Sequence, residues 1–288
     1  MISDTLEIEY RDAHVASQYA WWILEAISGK NQAILIAHDI APFSQKDFDT
    51  IYNWLEKITQ EHMPLQYVIG SVPFDGIEII VKPPVLIPRP ETEEWCSILI
   101  AQLRTLQSKR ISILDLAAGS GCIGLTLAHC LKESIVHGTD ISQEALSLAE
   151  RNKNFNGITN AHFFYSDLFS HVTDTYDLIV SNPPYIAPSE WELLDKNVKD
   201  WEDKRALVAE NEGVEIIASI IEFAPGYLKK NTEFTQQRIA NVWIEIGYMQ
   251  GEAVLEIMKK HAYTDVKVHK DLCRKDRYVT GIAPIREN

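Results

Sequence analysis

Apolar residues near the N-terminus recur three and four positions apart: Val15, Tyr19, Trp22, Ile23, Ala26 and Ile27 share one helical face. Gly29 follows as a stop. A second helix is predicted after Ser44-Gln-Lys-Asp47, which has the form of a capping box, with Phe43 and Phe48 placed as a hydrophobic staple. Phe48, Ile51, Tyr52, Leu55 and Ile58 form its apolar stripe. Proline and glycine then punctuate the chain from Pro64 to Pro90. Within that stretch GIEIIV alternates like a strand and VLIP like another, so the reading is a hairpin linker. LIPRPETEEW opens a helix, with Thr92 as its expected cap and Glu93 and Glu94 in its first turn.

From Ile111 the pattern changes. ISILDL, SIVHGTD, AHFFYSDL, YDLIVSN and NVWIEIG read as strands. CIGLTLAHCL, SQEALSLAERN, GVEIIASIIEFA and GEAVLEIMKKH read as helices between or after them. Such alternation implies α/β architecture, a largely parallel sheet with helices on both faces. The last two short strands, near VKVH and RYVTGI, are expected to form an antiparallel edge hairpin. The organisation is a helical domain over 1–70, a hairpin linker over 71–90 and an α/β domain over 91–288.

Composition narrows the function. A length of 288 residues is ample for a core, and no apolar run approaches a membrane span. The acidic N-terminus lacks a signal pattern, so the expected location is cytoplasmic. Net charge of −14 argues against broad nucleic-acid binding, which needs clustered Lys and Arg. One basic stretch, Lys259 to Arg286, reads more simply as a solvated edge than as a docking surface. Cys96, Cys122, Cys130 and Cys273 form no CxxC pair and read as reduced, mostly buried thiols. No HExxH or zinc spacing is present, so no metal is expected.

The glycine-rich loop DLAAGSGCIG lies between the first strand and first helix of the α/β region. Gly119 and Gly121 let the backbone turn and approach a ligand. Asp140 closes the next strand, 19 positions after Gly121, where an acid would accept from the two hydroxyls of a ribose. The dinucleotide pattern GxGxxG is not met, because positions 117, 119 and 122 are Ala, Gly and Cys. AAGSG instead resembles the S-adenosylmethionine loop, and Asp115 fits as its leading acid. Asp167, after the third strand, stands where an adenine amino group would be read; a turn cap accounts for it equally well.

SNPPYI ends the fourth strand on the same rim. Asn182 offers a side-chain carbonyl, and Pro183 a backbone carbonyl without an N–H of its own. Two adjacent acceptors match a planar NH2 group. Pro184 stiffens the turn and Tyr185 supplies an aromatic surface. A plain strand-ending turn is the rival reading of the motif taken alone.

Taken in order, QYVIG, LIPRPETE, LDLAAGSG, TDIS, YDLIVSNPPYI, EIGYMQG and CRKDRYV resemble the HemK/PrmC family of peptide chain release factor glutamine methyltransferases. The resemblance spans most of the chain. It implies a seven-stranded, Rossmann-like class I S-adenosylmethionine-dependent methyltransferase domain behind a small helical N-terminal domain that recognises substrate. It also implies methyl transfer from S-adenosylmethionine, leaving S-adenosylhomocysteine, to the side-chain nitrogen of the glutamine in the Gly-Gly-Gln motif of class 1 release factors. Asn182, Pro183, Pro184 and Tyr185 would hold that glutamine, with Asn182, Pro183 and Tyr185 at the chemistry. Asp115, Ala117, Ala118, Gly119, Ser120, Gly121, Asp140, Ile141, Asp167, Leu168 and Asn182 would hold the cofactor. A monomer with no nucleic-acid or membrane partner is expected.

Two departures stand out. Ala117 replaces a usual Gly, which costs little if its φ is negative. EDKRAL, Glu202 to Leu207, replaces a usual EPxxAL, and the GG pair after it is lost, which implies a different loop. The rival substrates for an NPPY motif are a ribosomal-protein glutamine and adenine in nucleic acid.

Overall fold

The computed structural model describes residues 2–37, 43–106, 110–230, 234 and 237–284. Backbone contacts divide it into two compact units: Met1–Ser71 with Asp195–Trp201, and Val72–Leu194 with Glu202–Asn288. Arg286, in the basic stretch noted above, lies outside the described residues.

The first unit is helical: α1 Ile2–Tyr10, α2 Ala13–Ser28, α3 Gln32–Ala37, α4 Gln45–Gln60 and α5 Leu65–Ile69. Asp12 caps α2 by accepting from the His14 and Val15 amides, and Gly29 ends it at φ 65°. The capping box of α4 is present, Ser44 Oγ accepting from the Asp47 amide and Asp47 accepting from the Ser44 amide. The Phe43 and Phe48 rings meet at 6.3 Å. Leu6, Ala16, Ile23, Ile51, Leu55, Ile58 and Leu65 form the core. Phe48 and Tyr52, expected in the same stripe, stay 37% and 53% exposed. A helix turns its neighbour residue about 100° away, so Tyr52 cannot share the face of Ile51. Trp201 Nε1 donates to the Glu61 carbonyl at 3.0 Å, which ties the later segment into this unit.

The second unit begins with a hairpin whose strands are β1 Ser71–Phe74 and β2 Ile77–Ile80. GIEIIV therefore pairs with SVPF, and VLIP forms no strand, contrary to the sequence expectation. Prolines at 83, 84 and 88 remove the donors a ladder would need there. Pro73 is tolerated because a two-stranded ribbon has free edges on both sides. A long helix secures the hairpin: Asn152 exchanges bonds with the Ile80 N–H and C=O, and Asn156 does the same with Glu78.

The main sheet holds β3 Ser112–Leu116, β4 Ile135–Asp140, β5 Ala161–Tyr165, β6 Leu178–Ser181, β7 Val242–Glu245, β8 Thr264–Lys270 and β9 Asp276–Ile282. Their order is β5-β4-β3-β6-β7-β9-β8. The first five are parallel and β9 runs antiparallel to β8, as the sequence predicts; β9 is also antiparallel to β7. The helices of this unit are α6 Pro90–Leu103, α7 Cys122–Cys130, α8 Gln143–Phe155 and the short α9 Pro188–Trp191, then α11 Glu215–Phe223 and α12 Gly251–Lys260, while α10 Lys196–Trp201 between them belongs to the first unit. Ile217, Ile220 and Ile221 of α11 bury against Leu114, Leu116, Ile179, Val242 and Ile244 of the sheet. Each such side chain contributes about 1.5–3 kcal/mol on burial.

Because β3 lies between β4 and β6, the chain crosses to the other half of the sheet after β5. The loops after β3 and β6 diverge there and open a crevice at the carboxyl ends of the strands. Leu116 pairs with Ser181 at that rim, and Ser181 Oγ donates to the Leu116 carbonyl at 2.8 Å. The thiols differ somewhat from expectation: Cys96 and Cys122 are buried, Cys130 is half-buried and Cys273 is exposed.

Candidate active site

The crevice is lined by four successive loops. Ala117 and Gly119 follow β3, Asp140, Ile141 and Ser142 follow β4, Ser166, Asp167 and Leu168 follow β5, and Asn182 and Pro184 follow β6. Pro84, Val85 and Leu86 close one side, with Asp203, Arg205, Ala206, Val208 and Ile216. Three carboxylates and one guanidinium face this space. Arg205 is engaged by Asp203, at 2.6 Å, so the cavity favours a cation.

Asp140 joins two of these loops. Its Oδ2 accepts from the Gly119 amide at 2.9 Å and its Oδ1 from the Ser142 amide at 2.8 Å. Burial raises its pKa, and those amide bonds oppose the rise. The carboxylate has about four lone-pair sites, and with the Gly119, Ser142 and Ile141 amides against it acceptor capacity still remains for a ligand hydroxyl. Gly119 has φ 56°, and a Cβ there would meet nothing within 4 Å, so its backbone faces open space. Ile141 is 45% exposed at the mouth, an apolar surface suited to a flat base. Asp167 is exposed; its turn is held by Ser166 Oγ donating to the Leu168 carbonyl and by Ser170 Oγ accepting from the Asp167 amide. No capping bond from the Asp167 carboxylate is present among the described residues.

Other residues expected at the cofactor lie behind the wall. Asp115 is wholly buried, and its Oδ2 accepts from the Gly124 amide at 2.9 Å, while its Oδ1 has no partner among the described residues. Burial pushes its pKa up to about 8. Ala118, Ser120 and Gly121 shape the loop rather than line the cavity: the Ala118 amide donates to Thr139, and the Ser120 carbonyl accepts from Asn152. Asn152 is buried and braces both the loop and the hairpin, a role that a polar residue inside a helix does not announce in sequence.

The β6 end is built differently. Asn182 Nδ2 donates to Thr92 Oγ1 at 3.1 Å, and Thr92 Oγ1 donates to Glu245 Oε2 at 2.6 Å. Tyr185 OH donates to Glu245 Oε1 at 3.1 Å. Thr92 is thus no cap: Pro90 at the first helical position starts α6 earlier, and Thr92 falls inside the first turn, buried. Pro183 is buried, and neither it nor Tyr185 lines the cavity that Asn182 faces. Past Tyr185, the Tyr185 and Ile186 amides both donate to the Leu207 carbonyl. This pins the motif to the 202–209 segment.

The methyltransferase small domain model matches residues 92–199, from Thr92 through the loop after β6. A methyltransferase from Pyrococcus furiosus aligns over 84% of this chain and all of its own, at 18% identity and a TM-score of 0.50. That likeness concerns the fold. The release factor glutamine methyltransferase of Lactococcus lactis subsp. lactis is 33% identical over 97% of this chain and 94% of its own length. The chain belongs to the release factor glutamine methyltransferase family. The Streptococcus pneumoniae member is 37% identical over 83% of this chain and 80% of its own.

Both departures from the family pattern have a structural consequence. Ala117 sits at φ 56°, so the condition for a cost-free Ala is not met. An L-residue there costs about 1–2 kcal/mol over Gly. In the 202–209 segment Glu202 forms an ion pair with Arg89 of the IPRPETE motif, Arg89 Nη2 reaching Oε1 at 2.7 Å. The Asp203 amide donates to the Pro84 carbonyl, which closes the wall without the family's proline. Gly213, at φ 77°, lies where a Cβ would run into the Tyr185 carbonyl. Gln250 completes that junction, its Nε2 donating to the Tyr185 and Glu212 carbonyls. Sequence reading passed over Gly213 and Gln250; only their position in EIGYMQG and beside the missing GG hinted at them.

Proposed function

We propose that this chain methylates the side-chain amide nitrogen of the glutamine in the Gly-Gly-Gln motif of class 1 peptide chain release factors. The observation that carries the reading is Asn182, which faces the cavity with its amide oriented by Thr92 at the end of β6. The full-length family relationship supports the substrate.

The cavity residues fit S-adenosylmethionine: the open space at Gly119, the acceptor positions left on Asp140 and the excess of carboxylates suit a ribose and a cationic group. When bound, that cofactor supplies an electrophilic methyl group on a sulfonium. Asp140 would take the ribose hydroxyls, Asp167 the adenine amino group, and Ile141 and Leu168 the faces of the base. Ala117, Gly119 and the backbone of Asn182 would line the methionine portion. Asp115 has no direct place in this arrangement, since it supports the loop from below.

Asn182 Oδ1 and the Pro183 carbonyl would accept the two N–H bonds of the substrate amide. An amide nitrogen is a weak nucleophile because its lone pair is delocalised. Two fixed acceptors would orient it and stabilise the positive charge that would grow on nitrogen as its bond to the methyl carbon formed and the carbon–sulfur bond broke, the electron pair staying on sulfur as a neutral thioether. This stabilisation is greatest in the transition state, which makes it catalytic. No strong base is needed, because the charged product nitrogen is acidic and releases its proton to water. Residues 1–70 would act as the recognition domain, and the net charge of −14 favours a protein partner over nucleic acid.

The test incubates the purified chain and methyl-labelled S-adenosylmethionine with a release factor or its Gln→Ala variant. Label on the first and none on the second is expected. Equal label on both, or label on nucleic acid alone, would overturn the proposal.

A further inference from the structure

Glu245 takes no part in the steps above, yet it is 1% exposed and ends β7 beside the motif strand β6. Its Oε2 accepts from Thr92 Oγ1 at 2.6 Å and from Trp95 Nε1 at 2.9 Å. Its Oε1 accepts from Tyr185 OH at 3.1 Å. Burial raises its pKa, while Thr92, Trp95, Arg277 and Tyr185 all favour the charged form. One buried carboxylate thereby reaches both polar side chains of the NPPY motif, Tyr185 directly and Asn182 through Thr92.

We infer that Glu245 is a positioning residue that sets the polarity of the substrate-binding amide, with Thr92 as the relay. A threonine hydroxyl carries one proton. Thr92 commits it to Glu245 Oε2 and so can only accept from Asn182. Asn182 must then turn its NH2 toward Thr92, which leaves Oδ1 to the other side. Among the described residues Oδ1 meets no donor, so it is available to a ligand. If the amide were reversed, Oδ1 would face a hydroxyl oxygen whose proton is already used, and an NH2 would face the incoming NH2. An indole N–H donates only, so Trp95 in turn requires an oxygen beside Thr92. The relay therefore joins residues 92, 95, 182, 185 and 245. It accounts for Thr92 and Trp95 of PETEEW and Glu245 of EIG, which do not line the crevice.

The inference rests on the proposed amide substrate, and its test separates the two. In the chain labelled with 15N-asparagine, the Asn182 side-chain signal is assigned by its loss in Asn182→Asp. Wild type and Thr92→Ser are expected to show a slowly exchanging Nδ2 proton; Thr92→Val, which keeps the shape and removes the hydroxyl, is expected to lose it. This readout needs no substrate. On the release factor, Thr92→Val is expected to lower kcat by about 100-fold with cofactor affinity near wild type and the melting temperature lowered by several degrees, the chain remaining folded. Thr92→Ser is expected to stay within about threefold, and Glu245→Gln within about tenfold, because Trp95 keeps a carbonyl oxygen beside Thr92. Wild-type kcat in Thr92→Val, Thr92→Ser as slow as Thr92→Val, or an unchanged Asn182 signal in Thr92→Val would overturn the relay. A normal signal pattern in a chain that never methylates the factor would instead overturn the substrate.

Discussion

The two sides of the crevice are made of different materials. The glycine-loop side is held by backbone amides on Asp140 and by carbonyls on Asn152, and its acids face the cavity. The NPPY side is held by side chains drawn from residues 92, 95, 182, 185 and 245, mostly sealed from water. A backbone-built wall suits a ligand that must be bound and released, since its acceptors remain partly hydrated. A buried relay suits a group whose direction must not vary, since an unmade bond there costs about 1–3 kcal/mol.

If the sides are separable in this way, their variants should fail in different measurements. Asn182→Ala removes the acceptor on the substrate side and is expected to lower kcat by about 100- to 1000-fold. Calorimetry should find cofactor affinity changed by less than about tenfold, since one lining contact is lost; complete loss of binding would merge the two sides. Asp140→Ala should do the reverse, weakening the cofactor by about 10- to 100-fold through lost hydrogen bonds to a charged group. At saturating cofactor its kcat should recover most of the wild-type value.

The next two effects concern stability and sharpen the same contrast. Asp115 titrates at about 8 in the folded chain because it is buried. A free aspartate titrates near pH 4. Between those values the folded chain keeps a proton that the unfolded chain has released, so stability falls as pH rises through the window and levels off above it. Asp115→Asn should flatten the fall, gaining about 1.4 kcal/mol for each pKa unit removed, with urea midpoints from pH 5 to 9 as the measurement. An unchanged slope would mean another group carries it. Smallest is Ala117→Gly, which relieves the positive φ at some entropic cost and should stabilise by about 0.5–1 kcal/mol. A loss of stability would show that the loop does not hold that strain.

The same contrast decides what could be read from the sequence. Asp140, Gly119 and the alternation of strands and helices were legible because periodicity and spacing are local, whereas the spatial order of the strands was not. Asn182 was legible because two prolines stop a strand abruptly. Thr92 was misread as a cap because TEE has cap chemistry; Pro90 moves the helix start, and its true partner lies 153 residues away. Glu245 gave no signal, since a charge closing an apolar strand usually marks exposure. The hairpin was found, but its second strand was misplaced because Pro73 in SVPF argues against a strand whose free edges tolerate it. Ala117 shows the remaining limit: residue type suggested a negative φ, while the loop that Gly119 and Asp140 hold together requires a positive one.

The most direct measurement is tandem mass spectrometry of a release factor after incubation with the chain and S-adenosylmethionine. One added methyl group on the side-chain nitrogen of the Gly-Gly-Gln glutamine is predicted, and its absence when Asn182→Ala replaces the wild type. A methyl group on any other residue, or the same yield from Asn182→Ala, would contradict the assignment of this rim to amide methylation.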